Sequence, residues 1–232
     1  DQTFMLALGL LRPEEFFAMI YGDPDADFNP SVGGRNFNNH FSTPNIDKNG
    51  KIKDLAERYN SASDISSTGG QMPRLLGLAQ ASRIVKQRPD LKKYLNNNVT
   101  GEEVAFGSIG DASTSEGMFF ETVNAAAVMQ VPLAVAVYDD GYGISVPVEL
   151  QTAKASISRA LKGFQKEKGT NGISIYTCKG WDYPGLVKTF TKGIGYCRST
   201  HSPVLFHVQE LTQPLGHSTS GSHERYKSRE RL

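Results

Sequence analysis

Two aspartates in this sequence follow segments that are typical of buried strands. Asp111 comes after the apolar residues 104–109, and Asp140 comes after the apolar residues 133–137. In an open parallel sheet, ligands bind beyond the carboxyl ends of the strands, and one helix and one strand between the two positions can bring both carboxylates to one edge. Carboxylate oxygens are the ligands that Mg²⁺ and Ca²⁺ take beside phosphate oxygens. The pair therefore predicts a metal–phosphate site.

The residues around these aspartates also allow a purely structural interpretation. Residues 113–116 fit a helix capping box, in which case Asp111 and Ser113 would only cap a helix. Residues 139–141 would only form a turn. Gly110, by contrast, lets the backbone approach a ligand closely, and N–H groups near Ser113 can face an anion. Either motif alone favours the structural role, but their placement on linked strands favours the site.

Alternating helix and strand patterns surround this edge of the predicted sheet. Pro13 begins a helix that stops at Gly22, and residues 23–50 form a long polar loop. The alternation favours an α/β fold, a doubly wound parallel sheet flanked by helices, in one domain over 1–232. We predict further helices near 71–87, 117–130, 152–164 and 184–198, and strands at 104–109, 133–137, 173–177 and 203–208. The buried residues expected on the first three helices are Phe16, Phe17, Met19 and Ile20; Met72, Leu75, Leu76, Leu78, Ile84 and Val85; and Phe119, Val123, Ala126 and Ala127.

The composition excludes several classes of partner. The 232 residues carry 25 basic and 24 acidic side chains, for a formal net charge of +1. A long nucleic acid or an anionic membrane usually requires a concentrated basic surface, so neither is expected, and no apolar run approaches the length of a membrane span. The two cysteines lack metal-ligand spacing, which is typical of free thiols in a reducing compartment. We expect the cytoplasm, or the mitochondrial matrix if the source is eukaryotic.

The ends of the sequence read as parts of a longer protein. The chain begins at Asp1 with an apolar run and no helix cap before it. The charged stretch 224–229 completes no recognisable element. We therefore expect this chain to be a middle portion of something longer.

The two aspartates lie within motifs that resemble a known family. Gly110-Asp111-Ala112, followed after residues 113–138 by Asp139-Asp140, looks like the thiamine-diphosphate motif, in which Gly-Asp-Gly precedes a pair of asparagines. Around these positions, residues 110–117 and 140–147 resemble the alpha subunit of the decarboxylating component of branched-chain 2-oxoacid dehydrogenases. Further blocks of the same family are matched, in the same order, by residues 34–41, 66–71 and 215–220.

The resemblance implies roles for particular residues at a cofactor site. Asp111 and Asp140 would bind Mg²⁺ through their carboxylates, and Tyr142 would bind it through its backbone carbonyl. Residues that would lie along thiamine diphosphate and its diphosphate group are Ser67, Gly69, Gly110, Ala112 and Ser113. Some members of the family bind a structural K⁺ ion at the positions that Ser66 and Thr68 match.

The histidines divide into two groups. His217 matches a catalytic-loop histidine that contacts the diphosphate and shapes the route of the lipoyl arm, and His40 matches a histidine near that loop. Ser218 matches a position that is phosphorylated in some members. His201 and His207 flank or lie in a predicted strand and are expected to be structural, and no pair of histidines has zinc-ligand spacing.

Two departures from the family motif concern charge and backbone geometry. Ala112 replaces the third glycine, which is a mild change if its backbone angles are ordinary. Asp139 and Asp140 replace the two asparagines, and Asp140 adds a negative charge that faces a diphosphate. A nearby cation is needed to offset this charge, and we expect it from an arginine outside this chain.

The implied activity is oxidative decarboxylation of a 2-oxoacid, with transfer of the acyl group to a lipoyl-bearing acyltransferase. The glutamate that activates the cofactor belongs to the beta-type half in this family, and no candidate for it is found here. We therefore expect a chain that is inactive without a beta-type half, whether that half is a separate subunit or fused.

Three alternatives stay open. The substrate is pyruvate or acetoin in related enzymes, although residues 144–147 and 216–220 favour a branched-chain 2-oxoacid. A magnesium-dependent phosphotransfer or receiver-like domain would require a lysine at another strand end, and no well-placed lysine is found. A non-catalytic module that binds a metal and an anion would bind diphosphate without turnover.

Overall fold

A computed structural model describes residues 2–35, 43–47, 49–55, 61–62, 65, 67–95, 99–212 and 222–231. The chain divides into two compact units, which are Asp1–Ser67 with Asp90–Val99, and Thr68–Pro89 with Thr100–Leu232. That the chain forms one domain over 1–232 stays a prediction.

The first unit packs two short helices, α1 (Gln2–Ala7) and α2 (Pro13–Ile20), around a small core of Met5, Leu11 and Met19. The predicted boundaries of α2 are confirmed. Its predicted buried side is only partly right, because Phe17 is 55% exposed and Ile20 is also exposed. Residues 16 and 19 are three apart and share the inner face of the helix, whereas 17 and 20 are rotated away from it.

The second unit is built on a four-stranded parallel sheet, whose strands lie in the order β1 (Ala105–Gly110), β2 (Leu133–Tyr138), β6 (Val204–Gln209) and β5 (Ser174–Lys179). Neighbouring parallel strands need a crossover connection, and a helix between β1 and β2 supplies one. The predicted α/β fold, a parallel sheet flanked by helices, is therefore confirmed. A separate two-stranded hairpin, β3 (Tyr142–Gly143) with β4 (Val146–Pro147), comes between β2 and β5 in the sequence.

Helices cover both faces of this sheet. Leu133, Val135 and Val137 of β2 pack in a core with α3 (Met72–Gln87) and α4 (Gly117–Met129). Ala134 and Ala136 point to the opposite face and pack near α6 (Tyr183–Thr200). A strand that is buried on both faces needs an unbroken apolar run, which explains the composition of residues 133–137.

Two helical predictions require correction. Helix α3 is not mostly buried, because Leu78 and Ile84 are exposed while the smaller Ala79 and Ser82 face the core. No single helix covers 152–164, since Lys154 and Ala155 adopt left-handed backbone angles that break it. Helix α5 (Ile157–Ala160) is therefore a single turn. The remaining short 3₁₀ turns are Pro89–Tyr94, Ala112–Ser115, Val148–Leu150, Ala153–Ala155, Leu161–Phe164, Ser222–Arg225 and Arg229–Arg231.

The buried residues predicted for α4 are confirmed, because Phe119, Val123, Ala126 and Ala127 all face the core. Helix α6 begins at Tyr183 after Asp182, whose carboxylate accepts a hydrogen bond from the N–H of Gly185 at 3.0 Å. Within the described residues, every helix is too short or too polar to cross a membrane.

Packing between α6 and β6 generates a test of this fold. The rings of Phe190 and Phe206 stack with centroids 4.2 Å apart, and a Cβ added at Gly193 would overlap the Phe206 ring. We expect Gly193→Ala to lower the free energy of unfolding by about 1–3 kcal/mol, measured by urea denaturation. Gly195→Ala is the matched control, because a Cβ there meets no atom within 4 Å and alanine favours helix. Equal effects of the two substitutions would contradict the described packing.

Candidate active site at the carboxyl edge of the sheet

Backbone hydrogen bonds connect the ends of β1, β2 and β6 just beyond their last paired residues. The N–H of Asp111 donates to the carbonyl of Tyr138 at 3.0 Å, and the N–H of Asp139 donates to the carbonyl of Val208 at 2.9 Å. These bonds extend the parallel ladder past the strands by one residue. The predicted placement of Asp111 and the Asp139-Asp140 pair at one edge of the sheet follows directly from this register.

Asp111 is the most buried carboxylate of the group, with 4% of its surface exposed. Among the described residues, no donor reaches its Oδ2 atom. Burial, and after it the negative charges of Asp139 and Asp140, raise the pKa of Asp111 to about 7, and hydrogen bonds from backbone N–H groups at 111 and 112 partly oppose the rise. A buried oxygen beside two more carboxylates is a favourable place for a cation.

The predicted capping box at 113–116 is wrong. Residues Ala112–Ser115 form a 3₁₀ turn, and α4 begins only at Gly117, with Glu116 at its N-cap position and no side-chain cap. Asp111 precedes the 3₁₀ turn and makes no side-chain cap hydrogen bond either. The structural alternative for Asp111, that it merely caps a helix, therefore fails.

Asp139 is held by a buried histidine. Its Oδ2 lies 2.7 Å from Nε2 of His207, whose Nδ1 lies 2.9 Å from the hydroxyl of Ser158. Its Oδ1 accepts a hydrogen bond from the N–H of Gly141 at 2.9 Å. His207 is fully buried in β6, in agreement with the structural role predicted for it. Both oxygens of Asp139 thus help to organise the turn between β2 and β3.

Asp140 is bound differently from Asp139. Its Oδ1 accepts a hydrogen bond from the N–H of Tyr142 at 3.2 Å, and its Oδ2 lies 3.4 Å from Nζ of Lys227. The turn predicted at 139–141 by the purely structural interpretation does exist. The Asp140 carboxylate nevertheless lies at the edge of the sheet beside Asp111. An arginine outside this chain was expected to offset the charge of Asp140. The structure instead shows a lysine of the chain itself, Lys227, from the charged stretch that was assigned to no element.

Ala112 and Gly143 bring the two loops of the site together. A Cβ built on Gly143 would lie 2.7 Å from Cβ of Ala112 and 2.6 Å from Oε1 of Gln151. The hydroxyl of Ser115 donates to the carbonyl of Gln151 at 3.1 Å. Ala112 has no left-handed backbone angles, so the alanine that replaces the motif's third glycine is tolerated without strain. A Cβ at Gly110 would meet nothing within 4 Å, which leaves open space beside the loop.

Thr68 and Gly69, from the block at 66–71, contact Glu116 near the same region. The hydroxyl of Thr68 donates to the Glu116 carboxylate, and a Cβ on Gly69 would lie 2.6 Å from Glu116 Oε2. Gly69 therefore lies next to the residue that follows the Ala112–Ser115 turn. Its predicted contact with the cofactor, like that of Ser67 at the end of the first unit, stays a prediction.

Several predicted residues lie outside the described part of the chain. These are His217, the histidine of the predicted catalytic loop, together with His40, Ser66 and Ser218. Their roles stay predictions, as do the metal-binding roles of Asp111, Asp140 and the Tyr142 carbonyl and the diphosphate-lining roles of Gly110, Ala112 and Ser113.

Sequence reasoning missed three residues that the structure places at this edge. Lys227 lies 87 positions from Asp140, and no periodic pattern relates them. Gln151 lies just before the segment predicted as helix, and its Nε2 is a buried donor without an acceptor among the described residues. Glu116 was interpreted as part of the capping box, whereas its carboxylate accepts a hydrogen bond from the Thr68 hydroxyl.

The donor set at this edge fits a hard divalent cation held jointly by protein and ligand. Across the described residues, no three His, Cys, Asp or Glu side chains are grouped to hold a metal by themselves. Asp111, Asp140 and a backbone carbonyl supply oxygen only, and Mg²⁺ usually completes its octahedron with phosphate oxygens and water. The unpartnered buried oxygen of Asp111 and the open space at Gly110 leave room for such a ligand.

Comparison with known proteins shows a family match and several similar sequences. The model of the dehydrogenase E1 component family matches residues 5–232. The chain is 25% identical over 233 residues to the 2-oxoisovalerate dehydrogenase subunit alpha of Bacillus subtilis, which covers 100% of this chain and 58% of that protein. It is 31% identical over 132 residues to the 3-methyl-2-oxobutanoate dehydrogenase subunit alpha of Mycobacterium tuberculosis, which covers 56% of this chain and 34% of that protein.

A pyruvate dehydrogenase E1 component subunit alpha, from Zymomonas mobilis, is 26% identical over 164 residues, which covers 71% of this chain and 40% of that protein. The chain thus spans between 34% and 58% of the length of these three relatives. Because the family model extends over nearly every residue, the assignment does not depend on any single relative. The chain belongs to the dehydrogenase E1 component family.

Proposed function

We propose that this chain forms the metal- and diphosphate-binding part of a thiamine-diphosphate-dependent 2-oxoacid dehydrogenase. The observation that carries this proposal is the buried Asp111, whose free oxygen lies at the same sheet edge as Asp140. An open α/β sheet binds its ligands beyond the carboxyl ends of its strands, and these two carboxylates lie at such ends. The named relatives, all dehydrogenase alpha subunits, support the same activity.

Three groups of this chain would hold the metal. Asp111 would bind Mg²⁺ through Oδ2, Asp140 through a carboxylate oxygen and Tyr142 through its backbone carbonyl. The backbone at Gly110, Ala112 and Ser113 would lie along the diphosphate. Thiamine diphosphate, when bound, supplies the carbanion-stabilising chemistry that decarboxylation of a 2-oxoacid requires.

The protein contributes negatively charged carboxylates that are held in position before a metal ion or the cofactor binds. Its buried carboxylates fix where a divalent cation binds, because charges at such a site are screened far less than in water. His207 and the N–H of Gly141 hold the Asp139 carboxylate in the turn, while Oδ2 of Asp111 has no partner among the described residues. The site is preorganised in this sense.

We further propose that turnover requires two partners. The resemblance assigns the cofactor-activating glutamate to the beta-type half, and Glu116 at this edge is already bonded to Thr68. A beta-type half, separate or fused, would supply that group, and a lipoyl-bearing acyltransferase would accept the acyl product. His217 would contact the diphosphate from its loop, with His40 nearby.

A branched-chain 2-oxoacid is the favoured substrate. Residues 144–147 and 216–220 support it, as do the names of the relatives from Bacillus subtilis and Mycobacterium tuberculosis. Pyruvate is the alternative, favoured by the relative from Zymomonas mobilis at 26% identity.

The receiver-like alternative loses support from the strand ends. Lys179 does end β5, but its Nζ pairs with Glu210 at 3.0 Å, and the lysine beside Asp140 comes from the C-terminal segment rather than from a strand. A phosphotransfer domain would need a strand-end lysine directed at the aspartates. The family match over 5–232 favours the dehydrogenase instead.

Replacing Asp111 tests the metal–diphosphate site directly. In the full-length protein with its beta-type partner, we expect calorimetric titration to show saturable binding of thiamine diphosphate that requires Mg²⁺. Asp111→Asn keeps the shape of the side chain and removes its charge, and we expect it to weaken binding on the order of a hundredfold or more. A chelator should abolish binding to the wild-type protein.

Glu167→Gln is the matched control for this loss of one negative charge. Glu167 is exposed next to Lys166, which bonds to Ser202 before the start of β6 and hence at the opposite edge of the sheet. Its replacement should leave binding unchanged. Mg²⁺-independent binding, or equal binding by wild type and Asp111→Asn, would contradict the proposed site.

Substrate choice is tested by reconstitution. We expect the chain alone to release no CO₂ from any 2-oxoacid, and the complex with a beta-type half to decarboxylate 3-methyl-2-oxobutanoate with a kcat/KM at least about tenfold above that for pyruvate. Release of ¹⁴CO₂ from labelled substrates measures both. A preference for pyruvate would select the alternative, and turnover by the isolated chain would contradict the requirement for a partner.

A further inference from the structure

We propose that Lys227 is a positioning residue for the metal site, whose buried positive charge allows an aspartate, rather than a neutral side chain, to serve at position 140. This inference rests on the proposed function. It assigns a role to the C-terminal segment 222–231, which neither the motif nor the predicted loop histidine explains.

The lysine is buried against its partner. Its Nζ lies 3.4 Å from Oδ2 of Asp140, and the side chains of Lys227 and Asp140 are only 3% and 18% exposed. The same Nζ lies 4.9 Å from the centroid of the Tyr142 ring. An ammonium group with so little access to water depends on the carboxylate and the aromatic face for its stabilisation. This pair therefore differs from the exposed ion pairs on the surface.

The local backbone holds the lysine in place. The N–H groups of Tyr226 and Lys227 both donate to the carbonyl of His223, at 3.1 and 2.9 Å. The ring of Tyr226 lies 5.9 Å from the ring of Tyr142. The segment thus contacts the 140–142 loop through two successive side chains. Lys227 is oriented by its own turn and not by Asp140 alone.

The charges at this edge show why such a cation is needed. Three carboxylates, those of Asp111, Asp139 and Asp140, lie at the carboxyl ends of the paired strands β1 and β2. Asp139 faces His207, and Asp111 has a free oxygen for a metal. A diphosphate brought next to Asp140 would add further negative charge. Lys227 is the cation that the described residues place on Asp140, and a neutral amide at 140 would not require it.

The pairing is compatible with metal binding by Asp140. The lysine contacts Oδ2, whereas the Tyr142 N–H donates to Oδ1. Each carboxylate oxygen can accept more than one partner, so a metal and a lysine can share the group. Lys227 acts through Asp140 and touches no reacting atom in this proposal.

The test is a double-mutant comparison in the full-length protein with its beta-type partner, read by calorimetric titration of thiamine diphosphate at fixed Mg²⁺. We expect Lys227→Met to raise the Kd at least about tenfold, because it removes the positive charge that faces the Asp140 carboxylate. Lys227→Arg should stay within about threefold of wild type. Asp140→Asn together with Lys227→Met should recover most of the loss. Lys192→Met, which removes an exposed lysine of α6, is the control and should change nothing.

A purely structural anchor predicts a different pattern. If Lys227 only fastens the C-terminal segment, Lys227→Met lowers binding equally in the wild-type and Asp140→Asn backgrounds, and this result would overturn the inference. Should Lys227→Met alone not fold, the comparison of Asp140→Asn with the double variant still decides, because charge compensation predicts equal Kd values for those two proteins. Wild-type-like binding by Lys227→Met also rejects the proposal. Failure of the wild-type complex to bind thiamine diphosphate would remove the proposed function and this inference together.

Discussion

Accumulated negative charge at one edge of the parallel sheet is the constraint on which the rest of the site depends. Because β1 and β2 pair in register, Asp111 and the Asp139-Asp140 pair must lie together. Carboxylates that lie close together with little access to water repel one another, so each needs its own stabilising partner. His207 faces Asp139, Lys227 faces Asp140, and Asp111 keeps an oxygen available. These different contacts organise the loops around the site.

The sheet and its edge could be predicted from the sequence because their signals are local. An unbroken apolar run at 133–137 is what a strand covered on both faces requires, and the aspartates follow the strands directly. The resemblance added the order of the motif blocks, and the family match over 5–232 agrees with it. Boundaries of α2, α3 and α6 were predicted to within about two residues for the same reason, since caps and periodicity are read within one or two turns.

What could not be predicted depends on distant contacts or on unusual backbone angles. Lys227 reaches Asp140 from 87 positions away, and a lysine in a charged stretch has no pattern that marks it as buried. Lys154 and Ala155 adopt left-handed angles, which residue type does not favour, and so a predicted helix became a single turn. The capping box failed because the chain forms a 3₁₀ turn before α4 begins. In each case the tertiary structure overrides a local preference.

The close approach of Ala112 and Gly143 has a consequence for how this motif varies among sequences. The two positions belong to loops that follow different strands, yet the space between them admits one methyl group and not two. A side chain at 143 should therefore require glycine at 112 together with a shift of the Gln151 side chain. A search pattern that fixes glycine at the third motif position would miss chains of this kind. One that requires at least one glycine across the two positions would retain them.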